Sequence, residues 1–515
     1  MLEKLLEKYP PEQRDYFMML LAQHEVQNTG ERACVDLHDH AYRFFTSMGT
    51  QERTEFVVAI ETLTISSQLR KLAKEMKVVA LEMNGGLGSS LGMDPNLRQS
   101  KASGIKFTAN ENELSVLQAK FMWMAQHAKN FAGLGIIPWN SNATKDSWDQ
   151  ALQGKCLLDP SKTYAEFLKS KGVAVFAHEI QHAFPRFCAG TLTPFTDGRA
   201  KDRVAPGGHG QILYQLYFSG KLHELRNAGY QILTLLNADG LSAKPSRYIA
   251  AKMLQEGIMA GMVTTDRTPI DAKGGILVVR RGELNLIEIA QVAKSQRKLF
   301  QQYGLRKGDA SQPFNTNTIY LNLHLLVKYL DEIQASDGVA GVKRLLTPEL
   351  IVNHKKVATK EGEFAVEQLE GAIGSVVLKF PGVKLFNVSA EERTREFTPI
   401  KRPGDVVYLY DSDAFEFDVH SSRLKRMFRG APARLELSDW VGWTDLAKTR
   451  ECFGKPSLAL LHSLQVKGEV SFRDAVFQGE VINENNSGEP VDLYQVEGLP
   501  REGSRLILSD IHLSF

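Results

Sequence analysis

Between about residues 76 and 425, β-rich runs such as "KVVALEM", "GVAVFA", "YQILTLLN", "GILVVR" and "DVVYLY" alternate with stretches of helical spacing. This alternation constrains the chain more than any other feature, because strands that alternate with helices fold as a sheet whose faces those helices cover. In such an α/β sheet the ligand lies beyond the carboxyl ends of the strands. One helix carries its own start signal: Asn110 with Glu113 has the spacing of a capping box, and Leu114, Leu117, Phe121, Met124 and Ala128 follow on one face.

The flanks differ in texture. Residues 1–75 place apolar side chains at helical spacing (Leu2, Leu5, Leu6; Phe17, Leu20, Leu21) without strand runs, which predicts a helical N-terminal region. In the tail, Leu464, Val470, Val476 and Ile482 recur every six residues with β-formers between them. A six-residue period is a signature of a parallel β-helix, although an antiparallel meander fits the periodicity equally well.

Bulk properties exclude several classes. The 515 residues leave room for two or three domains, and Lys+Arg 62 against Asp+Glu 60 gives a net charge of +2. That balance offers no footing for nucleic acid or an anionic membrane. No apolar run approaches the roughly 18 residues of a membrane span, and the charged start "MLEKLLEKYPPEQRDYF" does not resemble a secretory signal. Cys34, Cys156, Cys188 and Cys452 are scattered, without a C-x-x-C pair, which suits a reducing cytoplasm.

Two motifs suggest chemistry. In "AVFAHEIQHAFPRF", residues His178 to His182 fit the H-E-x-x-H pattern of zinc proteases. That chemistry needs both histidines on one helical face. The preceding run is β-type and Pro185 follows three residues after His182, so the helix has little room. The histidines read instead as ordinary strand-end or surface residues. The second motif, "VVALEMNGGLGSSLG", is a β-run ending at Met83 and then glycines at 85, 86, 88 and 92. Such glycines let backbone N–H groups approach phosphate oxygens. The spacing is neither a Walker loop nor G-x-G-x-x-G, and a plain tight turn accounts for it as well.

Taken together with later segments, the loop resembles that of the UTP–glucose-1-phosphate uridylyltransferases, also called UDP-glucose pyrophosphorylases. "QHAFPRF", "PGGHG", "NADGLSA", "DAKGGIL" with "LIEIAQV", "FNTNTIYLNL", "QLEGAIGSVV" and "FTPIKRPGD" resemble that family's segments in its own order. "KPSLALLHSLQVKGEVSF" is similar to the start of its C-terminal left-handed β-helix. The resemblance implies an α/β, Rossmann-like nucleotidyltransferase with a mixed sheet flanked by helices. Its expected parts are a helical N-terminal region (1–75), a catalytic domain (76–425), and a connector with a β-helix (426–515) that could mediate self-association.

The implied reaction joins UTP and glucose 1-phosphate into UDP-glucose and pyrophosphate. Its nucleophile is already ionised, so positioning and charge neutralisation matter more than a general base. By resemblance, Met83, Asn84, Gly85 and Gly86 hold uridine and the phosphates, while Gln181 and Gly208 select uracil. His209, Asn237, Gly275 (or Gly274), Glu288 and Asn317 meet the sugar phosphate. Asp239 holds Mg²⁺, a hard cation suited to carboxylate and phosphate oxygens. Lys401 is the implied catalytic cation and Lys101 the loop cation.

Departures from the family pattern qualify the sugar. Lys101 lies nine residues past Gly92, farther than the family's loop lysine, so Arg98 competes for that role. Met262 stands where the family has a glutamate, Thr318 and Tyr320 alter the N-T-N-N-L-W segment, and Gly240 alters N-S-D-N. Glucose 1-phosphate is the default substrate, another hexose 1-phosphate such as galactose 1-phosphate the first alternative, and a non-catalytic nucleotide-sugar-binding protein the second. No motif in residues 1–75 or 421–454 attaches to chemistry.

Overall fold

The computed structural model describes residues 2–28, 35–199, 203–272, 274–359 and 362–515, which leaves Cys34 and the Lys273 of "DAKGGIL" outside the described residues. Eight strands form the spine of the main sheet: β1 (Val57–Ala59), β2 (Lys77–Met83), β3 (Gly133–Asn140), β4 (Glu179–Ile180), β5 (Ile232–Asn237), β6 (Ala260–Asp266), β7 (Pro313–Asn322) and β8 (Lys384–Val388). Their spatial order is β4-β3-β2-β5-β7-β6-β8-β1, with four further short strands attached. Every neighbouring pair on this path is parallel except the two that β7 makes with β5 and β6.

A strand covered on both faces reads as a continuous apolar run, and β2 does so. Val78 and Ala80 enter one core, and Val79 and Leu81 enter the other. On the second face lies α1 (Pro11–Asn28), whose Phe17 stacks on Phe184 with ring centroids 4.7 Å apart. On the first face lies α2 (Val116–His127), which is apolar nearly all round because it is buried nearly all round. Beyond β5, α3 (Arg247–Glu256) packs Ile249, Ala250 and Met253 into that same core.

Two local expectations need correction. The helix α2 starts at Val116: Ser115 Oγ accepts from Gln118 N at 3.1 Å and Gln118 Oε1 accepts from Ser115 N at 3.0 Å. Asn110 (φ 46°) and Glu111 (φ 63°) instead turn a hairpin between Lys106–Ala109 and Asn112–Ser115, a left-handed conformation that Asn tolerates. The N-terminal stretch is also not all helical. Tyr42–Phe44 pairs antiparallel with Ile276–Arg280, and β1 pairs in parallel with β8. "FVVAI" is β-branched, and an open sheet edge supplies the partner that the sequence alone does not reveal.

In the tail, Arg434–Ser438, Ser457–Lys467, Val476–Glu484 and Arg505–Ser514 pair successively in parallel. An antiparallel meander is thereby replaced by a coil of stacked rungs. Leu464, Val470, Phe477, Val481 and Leu508 are buried in it, so the inward phase drifts from the strict six-residue period that pointed to Val476 and Ile482. No described helix is long and apolar enough to cross a membrane.

Candidate functional site

The carboxyl ends of β2, β3 and β5 bring Met83, Asn140 and Asn237 to one edge of the sheet. Because β7 runs the other way, its first residues reach the same edge. There the β6–β7 pairing shifts register, and the extra residues Thr316 and Asn317 bulge out, with Asn317 at φ 60°. Asn315 steadies the bulge: its Oδ1 accepts from Asn317 N at 2.9 Å and its Nδ2 donates to Asn317 Oδ1 at 3.0 Å.

Two adjoining cavities open at this edge, of about 330 and about 310 Å³. Every residue to which the resemblance gave a substrate-binding, metal-binding or catalytic role lines one or the other. Met83, Asn84, Gly85, Gly86, Gln181, Gly208 and His209 surround the first, and Gly275, Glu288, Asn317 and Lys401 the second. Lys101, Asn237 and Asp239 line both and mark the junction. Arg98, the competing loop cation, is turned away, its Nη2 donating to the Asn142 carbonyl at 2.8 Å.

At the junction, Lys101 Nζ lies 3.1 Å from Asp239 Oδ2 and also donates to the Ile400 carbonyl. Asp239 Oδ1 takes no hydrogen bond among the described residues, which leaves one carboxylate oxygen for a further positive group. Behind the junction, Lys120 Nζ reaches Glu82 Oε2 at 2.5 Å and the Asn237 carbonyl at 2.9 Å. Burial raises the Glu82 pKa while Lys120 opposes the rise.

In the first cavity, burial holds His209 neutral by lowering its pKa to about 4. Its Nδ1 accepts from Ile373 N at 3.1 Å, so the ring proton sits on Nε2. Gly208 has φ 77° and ψ 169°, and a Cβ there would meet the Gly371 carbonyl oxygen at 2.5 Å. In the second cavity a Cβ on Gly275 would meet the Glu288 carboxylate at 2.6 Å, so a side chain there would displace the acid. Burial raises Glu288's pKa, and Lys401 pulls it back. The Lys401 ammonium stands 5.5 Å from the Phe314 ring centroid.

The sequence reading missed several neighbours. Trp139, Pro206 and Glu370 line the first cavity, and Phe314, Phe397 and Thr398 the second. Asn84 Nδ2 donates to Asn140 Oδ1 at 2.7 Å, Asn140 Nδ2 to His178 Nδ1 at 2.7 Å, and His178 Nε2 to Asp149 Oδ1 at 2.8 Å. His178 is therefore tied to the glycine loop through Asn140, not an ordinary strand-end or surface histidine. His182 sits elsewhere, its pKa lowered to about 4 by burial. No group of three or more metal-ligating side chains occurs among the described residues. The end of "GLGIIPWN" was the signal for Trp139 and Asn140, since ligands gather at strand carboxyl ends. By contrast, Met262 and Thr318 are buried in the sheet and line neither cavity.

Known proteins resemble this chain in sequence and in fold. The family model described as UTP–glucose-1-phosphate uridylyltransferase matches residues 45–478. A UTP–glucose-1-phosphate uridylyltransferase of Encephalitozoon cuniculi is 28% identical over 79% of this chain and 73% of its own length. One from Saccharomyces cerevisiae is 27% identical over 83% of this chain and 78% of its own. Among solved structures, a mutant UDP-glucose pyrophosphorylase from Leishmania major in complex with UDP-glucose superimposes with a TM-score of 0.75. It is 24% identical and covers 99% of this chain and 97% of that one, a likeness of fold.

Proposed function

The chain belongs to the UTP–glucose-1-phosphate uridylyltransferase family, and from that premise we propose that it makes UDP-glucose and pyrophosphate from UTP and glucose 1-phosphate. The observation that carries this reading is the junction: Lys101 and Asp239 line both cavities, and Lys401 lines the second. Two substrates held in adjoining cavities meet at such a point.

Uridine occupies the first cavity, with its base beside Gln181 and Gly208 and its phosphates over the backbone of Met83–Gly86. Glucose 1-phosphate occupies the second, where Glu288 and Asn317 take sugar hydroxyls and Asn237 closes the junction. The neutral His209 donates from Nε2, and its Nδ1 keeps the Ile373 N–H only while the ring stays uncharged. The sugar-phosphate oxygen forms a bond to the α-phosphorus of UTP. The bond from that phosphorus to the bridging oxygen breaks, and pyrophosphate leaves with the electron pair. Lys101 and Lys401 neutralise the charge that spreads over the phosphorus and leaving group, a role for positioned donors that needs no proton acceptor.

Mg²⁺ fits beside Asp239, whose Oδ1 is available, because the ion binds with one or two carboxylates plus substrate phosphates and would add further charge neutralisation there. Met262 and Thr318 are buried in the sheet and touch neither cavity, so the hexose meets Glu288, Asn317 and Asn237 instead.

The test is pyrophosphate release from UTP with Mg²⁺ and either glucose 1-phosphate or galactose 1-phosphate. Turnover should require the metal and favour glucose. Lys401→Ala should lower kcat by about 10²–10³, the cost of removing one preorganised stabilising group. Full turnover in Lys401→Ala, or nucleotide binding with no pyrophosphate release from any sugar phosphate, would overturn the reading.

A further inference from the structure

A third cavity, of about 520 Å³, lies apart from the two catalytic ones. It shares no lining residue with them, yet it borders two of the same stretches of chain. Ser242 and Lys244 follow directly on Asp239 and Gly240, and Thr394–Glu396 lead directly into Phe397–Lys401.

Its charge is lopsided. Among the described residues, Lys244, Arg247, Arg395 and Arg423 line it against one acidic side chain, Glu396. The only ion pair to any of these four cations among the described residues is that of Arg395 with Glu392, a loose 3.7 Å contact. The others rest on neutral oxygens or on none. Lys244 Nζ donates to the Ser422 carbonyl at 2.8 Å, and Arg247 donates to Asn130 Oδ1 at 3.2 Å and to the Tyr248 hydroxyl at 2.9 Å. The α3 helix begins at Arg247, so its positive end adds to the same field.

Burial governs the local titration behaviour. Burial first, then Arg423 and Lys120, hold the Lys244 ammonium well below its ordinary pKa. Burial pushes Glu396 up to about 7, so near neutrality it supplies only part of a negative charge. His127, stacked on Trp123 with centroids 4.5 Å apart, is lowered to about 4 by burial and adjoining cations. In the same wall the indole N–H of Trp123 is buried with no acceptor among the described residues. A cavity of this size and polarity is suited to a small anionic molecule, since unpaired cations in a partly dry site gain most from an anion that they can hydrogen-bond.

We propose that this cavity binds a phosphorylated small molecule, with its phosphoryl group held among Lys244, Arg247, Arg395 and Arg423. Its lining segments run straight into residues of the second cavity, at 239–240 and 397–401.

Sodium tripolyphosphate is the probe, followed by isothermal titration calorimetry at about 0.15 M ionic strength, where charges more than ~8 Å apart are screened. The background is Lys101→Gln/Lys401→Gln, which removes the cations of the catalytic cavities. This background should bind the probe saturably. Adding Arg395→Gln/Arg423→Gln, both at solvent-exposed side chains, should weaken binding about tenfold or more, while adding Arg423→Lys should largely retain it. Unchanged thermal unfolding midpoints establish that the variants fold. Absence of saturable binding in the lysine-substituted background, or equal affinity with and without the two arginines, would overturn the proposal.

Discussion

Replacing Lys120 with Met probes the support behind the junction. The pair it breaks is dry: the Lys120 side chain is 2% exposed and that of Glu82 1%. Lys120 Nζ serves Glu82 Oε2 at 2.5 Å and the Asn237 carbonyl at 2.9 Å, whereas Glu82 Oε1 has no hydrogen-bond partner among the described residues. Once the ammonium is gone, burial and the repulsion of Asp239, which already raise the carboxylate's pKa, are opposed only by the weaker pull of Lys244. Removing one partner of a buried ion pair costs about 3–5 kcal/mol. The double variant Glu82→Leu/Lys120→Met removes both charges; the Asn237 carbonyl still accepts from Gly240 N at 3.2 Å, so what is lost is chiefly one charge-assisted hydrogen bond, about 1.5–3 kcal/mol.

Urea denaturation of wild type, both single variants and the double variant measures the coupling as a cycle. Each single change should cost more than the double, and the Lys120→Met deficit should shrink on acidification. The sign follows from linkage. A carboxyl whose folded pKa is raised contributes stability below its unfolded pKa and loses it as pH rises through the folded value. If Lys120→Met matches wild type in midpoint, or if the single deficits simply add in the double, the buried pair does not hold this strand end.

Gly208→Ala should be costly despite its size, because it combines a φ of 77° with a Cβ forced to 2.5 Å from the Gly371 oxygen. A loss of about 2–4 kcal/mol and a raised KM for UTP are expected, read by thermal unfolding and steady-state kinetics, and a wild-type midpoint would refute the close approach. The pH profile should show acid sensitivity. His127, His182 and His209 are lowered to about 4 by burial, so each contributes stability above about pH 6.5 that is lost as pH falls toward 4. With partial exposure discounted, each ring supplies on the order of 2 kcal/mol. Unfolding midpoints from pH 7 to pH 4 of wild type against His182→Gln check this, since the substitution should flatten the fall.

What the sequence revealed and what it hid divide by distance along the chain. The run ending at Met83 is apolar on both faces, so a central strand was legible, and the glycines after it marked the ligand edge. The β-type run before His178 and Pro185 after His182 together argued against a zinc-protease helix. The start of α2 was misplaced because "NENELSVLQ" contains two capping-box spacings, Asn110 with Glu113 and Ser115 with Gln118. Only the hairpin closing at Asn110–Glu111 decides between them, and that hairpin depends on cross-strand pairing. The pair of Glu82 with Lys120 spans 38 residues, and the chain from Asn84 through Asn140 to His178 joins three separate segments. Neither leaves a periodic trace, so a polar residue inside an apolar helix was the only visible symptom. The bulge at Asn317 was likewise invisible, because a register shift belongs to two strands at once.

The long glycine loop shows why spacing left the competition between Lys101 and Arg98 open. Counting residues from Gly92 treats the loop as a ruler, but its far end is pinned by other contacts. Lys101 N donates to the Gly86 carbonyl at 3.1 Å, and Ser100 and Ser103 both bond Ser147 Oγ, so the lysine returns to the first glycines whatever lies between. The outer turn is braced by the connector. Gly92 packs so closely on Thr444 and Asp445 that a Cβ would lie 2.8 Å from their backbone. Asp445 caps the helix Leu446–Phe453, and Arg450 on that helix pairs with Asp411 at 2.8 Å and donates to the Lys106 carbonyl at 2.7 Å. The added residues are therefore held against the connector, and the position of the Lys101 ammonium is set by Gly86, Ser147, Asp239 and Ile400 rather than by loop length. A segment that offered no chemistry of its own in the sequence thus packs against the loop at the ligand edge of the sheet.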